Sequence, residues 1–210
     1  MSIDSFNKIP PHGVVRNWLG ADTVERLLAY AQSNENLFKD SRLGYGASDR
    51  IDPTRRISRR LKDLGEFTNE LRDKVHSLLP AIFETLGHKQ FIPTFELELV
   101  AHGDGAFFAR HLDTTVTNQG RPASDRIVSA VYYFHAQPKA FSGGVLRLHS
   151  LAASGKQGTF IDIPPDYDSL VFFPSMFPHE VLPVKSSGKF LDSRFAINCW
   201  VRRSGGNTDG

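Results

Sequence analysis

The stretch "FFARHLDTT", residues 107–115, ends an aromatic, strand-like run on a histidine and an aspartate two positions apart, His111 and Asp113. Alternate residues of a strand point to the same side, so this spacing aims an imidazole nitrogen and a carboxylate together. Two ligands are too few to define a site, and in a chain with eight histidines an H-x-D triplet alone carries little weight. The third ligand has to come from another strand, and His179 is the best candidate. It follows the Pro-bounded turn "FPSMFP" and opens the run "HEVLPV". Two histidines and one carboxylate leave open positions on a bound metal, a set that suits Fe(II) and its chemistry with O2.

The run "RFAINCWVRR" carries a second, independent clue. Read with period two, Phe195, Ile197, Cys199 and Val201 fall on one face and look ready to pack against helices. Arg194, Ala196, Asn198 and Trp200 fall on the other. That face would point an arginine into the protein interior, where an unpaired charge costs several kcal/mol. A buried arginine needs an anion, and its planar fork suits a carboxylate. In "RIVSAVYYFH" Val131 and Tyr133 share a face, so the Tyr133 hydroxyl is placed to join the same anion. The alternative is that Arg194 pairs with a structural acid such as Asp162 or Asp168. His12, His76, His88 and His135 are expected on surfaces or element ends, and His149 exposed.

The elements that must position these residues change character along the chain. "ADTVERLLAYAQ" sets Val24, Leu27, Leu28 and Ala31 at helical spacing behind Asp22 as an N-cap. "GEFTNELRDKVHSLLPAIFETLG" forms an apolar stripe of Phe67, Leu71, Val75, Leu78, Leu79, Ile82, Phe83 and Leu86, with Gly87 as the stop. Pro80 is expected to kink or divide this helix near Leu79. Between the helices "DRIDPTRRISRRLKD" holds five arginines and reads as a solvated charged face or loop. From about residue 91 the pattern becomes short β-rich runs broken by turn segments such as "GDG", "SGG" and "KSSGK", with no helices between them. That spacing predicts an all-β sandwich or barrel, and a double-sheet jelly roll closes most of its edges. The expected organisation is one domain over 1–210: mainly helical support over 1–90, a β core over 91–203 and a disordered tail at 204–210.

Composition narrows the function. Apolar residues make up 40% and charged residues 23%, ordinary for a globular protein, and a net charge of +2 argues against a dedicated nucleic-acid binder. The single cysteine, Cys199, excludes an internal disulfide and fits a reducing cytoplasm. "MSIDSFNKIPPHG" has no apolar core of a secretory signal, and no apolar run approaches a membrane span. These features set the expectation of a cytoplasmic protein with no membrane or nucleic-acid partner and an undetermined oligomeric state.

Taken in order, "GAFFARHLD", "DRIVSAVYYF", "SGGVLRL", "FIDIPPDYDSLVFFPSMFPHEVLPV" and "RFAINCW" resemble the 2-oxoglutarate- and Fe(II)-dependent oxygenases over roughly residues 93–203. Within them the chain is most similar to the prolyl 4-hydroxylase-like group, and "IPPDYDSLVFF" through "PHEV" looks like the oxygen-sensing prolyl hydroxylases. The resemblance implies a double-stranded β-helix (jelly roll) core with helices on one face. It implies Fe(II) held by His111, Asp113 and His179, and the distal carboxylate of 2-oxoglutarate held by Arg194 and Tyr133. Val131 and Leu146 would line the co-substrate pocket, Arg126 and Trp200 would face substrate, and Phe108 stands where relatives often have a tyrosine. The implied reaction consumes O2 and 2-oxoglutarate and hydroxylates a C–H bond with release of succinate and CO2, with room for ascorbate as reductant. A prolyl residue in a protein or peptide is the first-choice substrate, and a free amino acid or other small molecule the alternative. The loop "DTTVTNQGRPASDR" is a candidate substrate lid or a plain connector.

The chain departs from the family pattern at several points. His102 occupies a usual tyrosine position, the His179–Arg194 spacing is lengthened by "SSGKFLD", and Arg194 is followed by Phe-Ala rather than the Arg-x-Ser of other branches. Trp200 stands where the nucleic-acid demethylases carry a second arginine, which disfavours base repair. Asp113 is retained where halogenating relatives lose it, which favours hydroxylation. Two readings of other classes remain: a cupin-type metal site without 2-oxoglutarate, in which Arg194 has no role, and a catalytically silent binding module.

Overall fold

In the computed structural model, residues 8–43, 50–114, 126–152 and 158–204 are described. The first part alternates short strands with two helices: β1 (Gly13–Arg16), α1 (Ala21–Ser33), β2 (Lys39–Asp40), β3 (Arg56–Ile57), β4 (Arg59–Leu61) and α2 (Phe67–Leu86). Strands then follow one another: β5 (Pro93–His102), β6 (Phe107–His111), β7 (Arg126–Phe134), β8 (Phe141–Gly143), β9 (Leu146–His149) and β10 (Phe160–Ile163). The remainder is β11 (Ser169–Pro174), β12 (His179–Val181), β13 (Val184–Ser186) and β14 (Arg194–Arg203).

The helices bury the faces their spacing marks out. Val24, Leu27 and Ala31 of α1 are buried, as is the α2 stripe apart from half-buried Leu78. Gly87 ends α2 in the left-handed region, φ 68°, where a side chain would be strained. Two expectations change. Helix α2 runs through Pro80 without dividing. Pro80 and His76, whose carbonyl loses its helical donor, are both on the exposed face, so that carbonyl turns to solvent while the buried stripe holds the helix on either side. Asp22 lies inside the first turn of α1, and Gly20 takes the N-cap without a side-chain bond. Buried Asp168 does that work from the turn before β11, accepting from Leu19 N and Gly20 N at 2.9 Å each and from the Tyr132 hydroxyl at 2.9 Å.

Both principal sheets are antiparallel. A seven-stranded sheet has the order β1-β11-β7-β14-β5-β4-β2, and a five-stranded sheet β10-β9-β12-β6-β3. The outer face of the larger sheet packs on α1 and α2 through Tyr132, Phe134, Phe195, Ile197, Cys199 and Val201. Its inner face meets the smaller sheet through Tyr133, Val171, Phe173 and Ala196 against Leu146, Leu148 and Ile163. This is the expected double-stranded β-helix with helices on one side, and period two along β14 separates its faces as anticipated. Among the described residues no helix is long and apolar enough to cross a membrane. The expected tail beyond Ser204 lies outside the described residues.

Asp168→Asn keeps a residue that tolerates its positive φ of 49° but leaves one oxygen fewer for three donors. It is expected to cost about 2 kcal/mol in urea unfolding, with metal affinity of the folded protein unchanged.

Candidate metal centre

Strands β6 and β12 pair antiparallel, and their register sets His111 directly opposite His179. Their ring centroids are 4.2 Å apart. Strand β6 ends at His111, so Asp113 does not reach the site by strand parity. The chain bends instead, and the amides of Asp113 and Thr114 both donate to the Ser175 carbonyl at 3.3 Å. The outcome is the expected cluster by a different route. Asp113 Oδ1 lies 3.6 Å from His111 Nε2 and Asp113 Oδ2 3.4 Å from His179 Nε2. One ligand atom from each of the three residues lies within 4.8 Å of the others.

Both histidines are presented by the same local device. His111 Nδ1 donates to the Ala109 carbonyl at 2.9 Å and His179 Nδ1 to the Phe177 carbonyl at 3.0 Å. A carbonyl only accepts, so Nδ1 carries hydrogen and Nε2 is the ligand atom facing the cluster. Burial, then the charge of His179, lowers the His111 pKa to about 4, leaving it neutral. Burial would lower His179, but the adjacent Asp113 carboxylate outweighs it and raises the pKa. Burial would likewise raise Asp113, and the imidazolium of His179 more than offsets it. A metal bound here would compete with any proton on His179 Nε2, because the ion would take over the role of countercharge to Asp113.

The Asp113 carboxylate is held in turn. Buried Ser129 donates to Oδ2 at 2.6 Å, and its hydroxyl lies 2.9 Å from that of buried Ser175. Ser175 therefore holds the Asp113 segment twice, by its carbonyl and through this hydroxyl pair.

A cavity runs from the cluster into the barrel, lined by Val131, Tyr133, Leu146, His102, Arg194, Asn198 and Trp200 among others. Arg194 is 1% exposed. The acids that could have neutralised it are used elsewhere: Asp162 binds Arg147 at 2.7 and 2.8 Å, and Asp168 caps α1. The Arg194 guanidinium lies 4.7 Å from the Tyr133 ring and 3.1 Å from His102 Nδ1. Its Nε, the Tyr133 hydroxyl and His102 Nε2 are buried without hydrogen-bond partners. An unanswered buried donor costs about 1–3 kcal/mol, so three around one cavity fit a ligand rich in lone pairs, such as a carboxylate. The donor set of the cluster fits Fe(II) equally well.

The family model of the 2OG-Fe(II) oxygenase superfamily matches residues 97–202. The chain belongs to that superfamily. Membership implies Fe(II), 2-oxoglutarate and O2 as its reactants. The chain is 29% identical over 198 residues to an uncharacterized PKHD-type hydroxylase of Synechocystis sp., covering 91% of this chain and 63% of that one. It thus spans less than two thirds of that curated relative. A prolyl-4-hydroxylase of Pseudomonas putida is 27% identical, with a TM-score of 0.67 and 97% of each chain covered. A prolyl hydroxylase of Trichoplax adhaerens, solved with a hypoxia inducible factor peptide, shares the fold at 21% identity, TM-score 0.67, with 95% of this chain and 86% of that chain covered.

The structure departs from what spacing suggested at several residues. The arginine-rich run is not all solvated. Arg56 is buried and lines the metal cavity, held to Ser58 Oγ at 2.9 Å and Glu98 at 3.4 Å. Arg60 reaches the same carboxylate at 3.1 Å. Arg56 also lies 4.6 Å over Phe108, which stacks on His111 at 3.5 Å. Arg56, Glu98, Ser129 and Ser175 had no signal in spacing, since their partners lie far away in the chain. Arg126 is bonded to Glu96 through Nε at 3.1 Å and stacks 3.8 Å from the Trp200 ring, while Trp200 itself lines the cavity. His135 sits at an element end as expected, just past β7, though buried there, and His149 meets Glu180 at 2.9 Å rather than standing exposed. Most of the 114–126 loop lies outside the described residues.

Ser129→Ala frees the carboxylate to rotate. It is expected to weaken binding of Mn(II) or Co(II) roughly 10- to 100-fold by direct titration, and unchanged affinity would show that Ser129 does not position Asp113.

Proposed function

We propose that this chain is a hydroxylase that holds Fe(II) through His111, Asp113 and His179 and anchors 2-oxoglutarate through Arg194 and Tyr133. The observation that carries the reading is the buried Arg194 with no acid beside it among the described residues, in a cavity shared with the three candidate ligands. Fe(II), 2-oxoglutarate and O2 together supply the chemistry that converts a C–H bond to C–OH, with succinate and CO2 as co-products. The chain's own residues do the rest. Nε2 of each histidine and the Asp113 carboxylate face one point. Arg194 fixes the far carboxylate of the co-substrate, and Val131 and Leu146 enclose its chain on apolar walls. Because the guanidinium and the cluster line one cavity, Arg194 on the far carboxylate would leave the keto-acid end for the metal.

The substrate we assign is a prolyl residue in a protein or peptide. The similarity to two prolyl hydroxylases supports this. So do exposed Leu112 and Met176, which flank the cluster in sequence and offer apolar contacts to a docked chain. Arg56 in the cavity wall favours a second reading, a small carboxylate-bearing substrate such as a free amino acid.

The test is aerobic incubation with Fe(II), 2-oxoglutarate and either prolyl peptides or free amino acids, following succinate and the gain of one oxygen by mass spectrometry. Succinate formation lost in Asp113→Ala, with the oxygen mapped to a peptidyl proline, is the expected result. Oxygen gained only by free amino acids selects the second reading. No succinate with any substrate overturns both.

A further inference from the structure

His102 is the last residue of β5 and the cross-strand partner of Arg194. Its Nδ1 lies 3.1 Å from Arg194 Nη1. A guanidinium only donates hydrogen bonds and keeps its charge at any physiological pH. Nδ1 must therefore present a lone pair, which places the ring hydrogen on Nε2. This is the opposite tautomer to that of His111 and His179, whose Nδ1 atoms face carbonyls. The tautomer follows from the partner, and it makes Nε2–H a donor. That donor is buried, lines the cavity and has no partner, like Arg194 Nε and the Tyr133 hydroxyl.

The charges around the ring hold it neutral. Arg194 from β14 and Arg56 from β3 are both cations that disfavour an imidazolium; Tyr133 from β7 is a phenol kept un-ionised by burial, and the cavity's other titratable groups are His111, Asp113 and His179 of the cluster. Burial acts first and these cations second, and against the opposing pull of the Arg194 backbone they lower the His102 pKa well below the usual histidine range.

We infer that His102 is a third donor of the co-substrate anchor. It is a neutral imidazole locked as the Nε2–H tautomer by Arg194, orienting the guanidinium through Nδ1 and donating from Nε2 to a carboxylate of 2-oxoglutarate. The inference rests on the proposed reading of this cavity as the 2-oxoglutarate site. It makes His102 a binding residue with no proton to give up or gain in the working range, unlike most histidines near an active centre. It also gives the bound carboxylate a neutral donor beside the charged one, and orients it by direction as well as by charge.

Two measurements test this without turnover. The first is calorimetric titration of 2-oxoglutarate into the Mn(II)-loaded protein. His102→Phe, similar in bulk but without polar atoms, is expected to weaken binding roughly tenfold or more with Mn(II) affinity unchanged. His102→Gln, whose amide both accepts and donates, is expected to recover part of the loss. The second is the 15N spectrum of histidine-labelled, metal-free protein. One resonance pair, absent in His102→Phe, should show the Nε2–H tautomer and not titrate between about pH 6 and pH 8. Wild-type affinity in His102→Phe, an Nδ1–H tautomer, or titration in that range overturns the inference while leaving the cavity reading intact. If the wild-type protein itself binds no 2-oxoglutarate, the cavity reading falls and the donor role with it.

Discussion

A guanidinium enclosed in a β-barrel with no carboxylate to meet it among the described residues is a standing electrostatic debt, and the architecture around Arg194 is arranged to sustain it. Strand β14 lies at the centre of the larger sheet, between β7 and β5. Its outward residues Phe195, Ile197, Cys199 and Val201 are sealed under the helices, so its inward residues have nowhere to go but the barrel. Asp162 and Asp168, the structural acids that spacing offered as partners, are bound instead to Arg147 and to the entry of α1. Stability is given up locally for a preformed binding site, the usual arrangement where burial energetics and function conflict.

The metal ligands depend on different forces. The β6–β12 register brings the two imidazoles together, tilted 56° to one another, and the carbonyls of Ala109 and Phe177 turn each Nε2 inward. The carboxylate comes from a bend outside the ladder, held by Ser175 and Ser129. The imidazolium–carboxylate contact of His179 with Asp113 keeps the three groups together in the absence of metal, so the site is preorganised and a metal would compete with that proton. Arg56, balanced by Glu98, adds a second cation to the cavity wall. The centre is therefore rich in positive charge and suited to anionic ligands.

Much of this was legible in sequence where local rules operate. Period two along "RFAINCWVRR" separated the helix-facing residues from Arg194 and Trp200 correctly, because both faces of a central strand are buried and neither tolerates a slip. The α2 stripe and its Gly87 stop were equally plain. The H-x-D spacing led to residues that do cluster with His179, but for an incomplete reason, since Asp113 lies beyond the strand that was to aim it. What stayed hidden were contacts between residues remote in the chain. Arg56 and Glu98 meet across 42 positions, and an arginine run looks solvated until its partner is seen. Serines 129 and 175 are too common a residue type for spacing to single them out. Pro80 does not divide α2 because the buried stripe on either side holds the helix together, and Asp22 misled because the contacts at the helix entry come from Asp168, in the turn before β11.

The claim that Arg194 exists to meet a metal-bound dicarboxylate is tested most directly by anaerobic addition of 2-oxoglutarate to the Fe(II)-loaded protein, following the visible metal-to-ligand charge-transfer band. The account predicts a saturable band in the wild-type protein that is lost in Arg194→Ala at the same 2-oxoglutarate concentration. A band of equal strength and affinity in Arg194→Ala, or no band in the wild type, would contradict it.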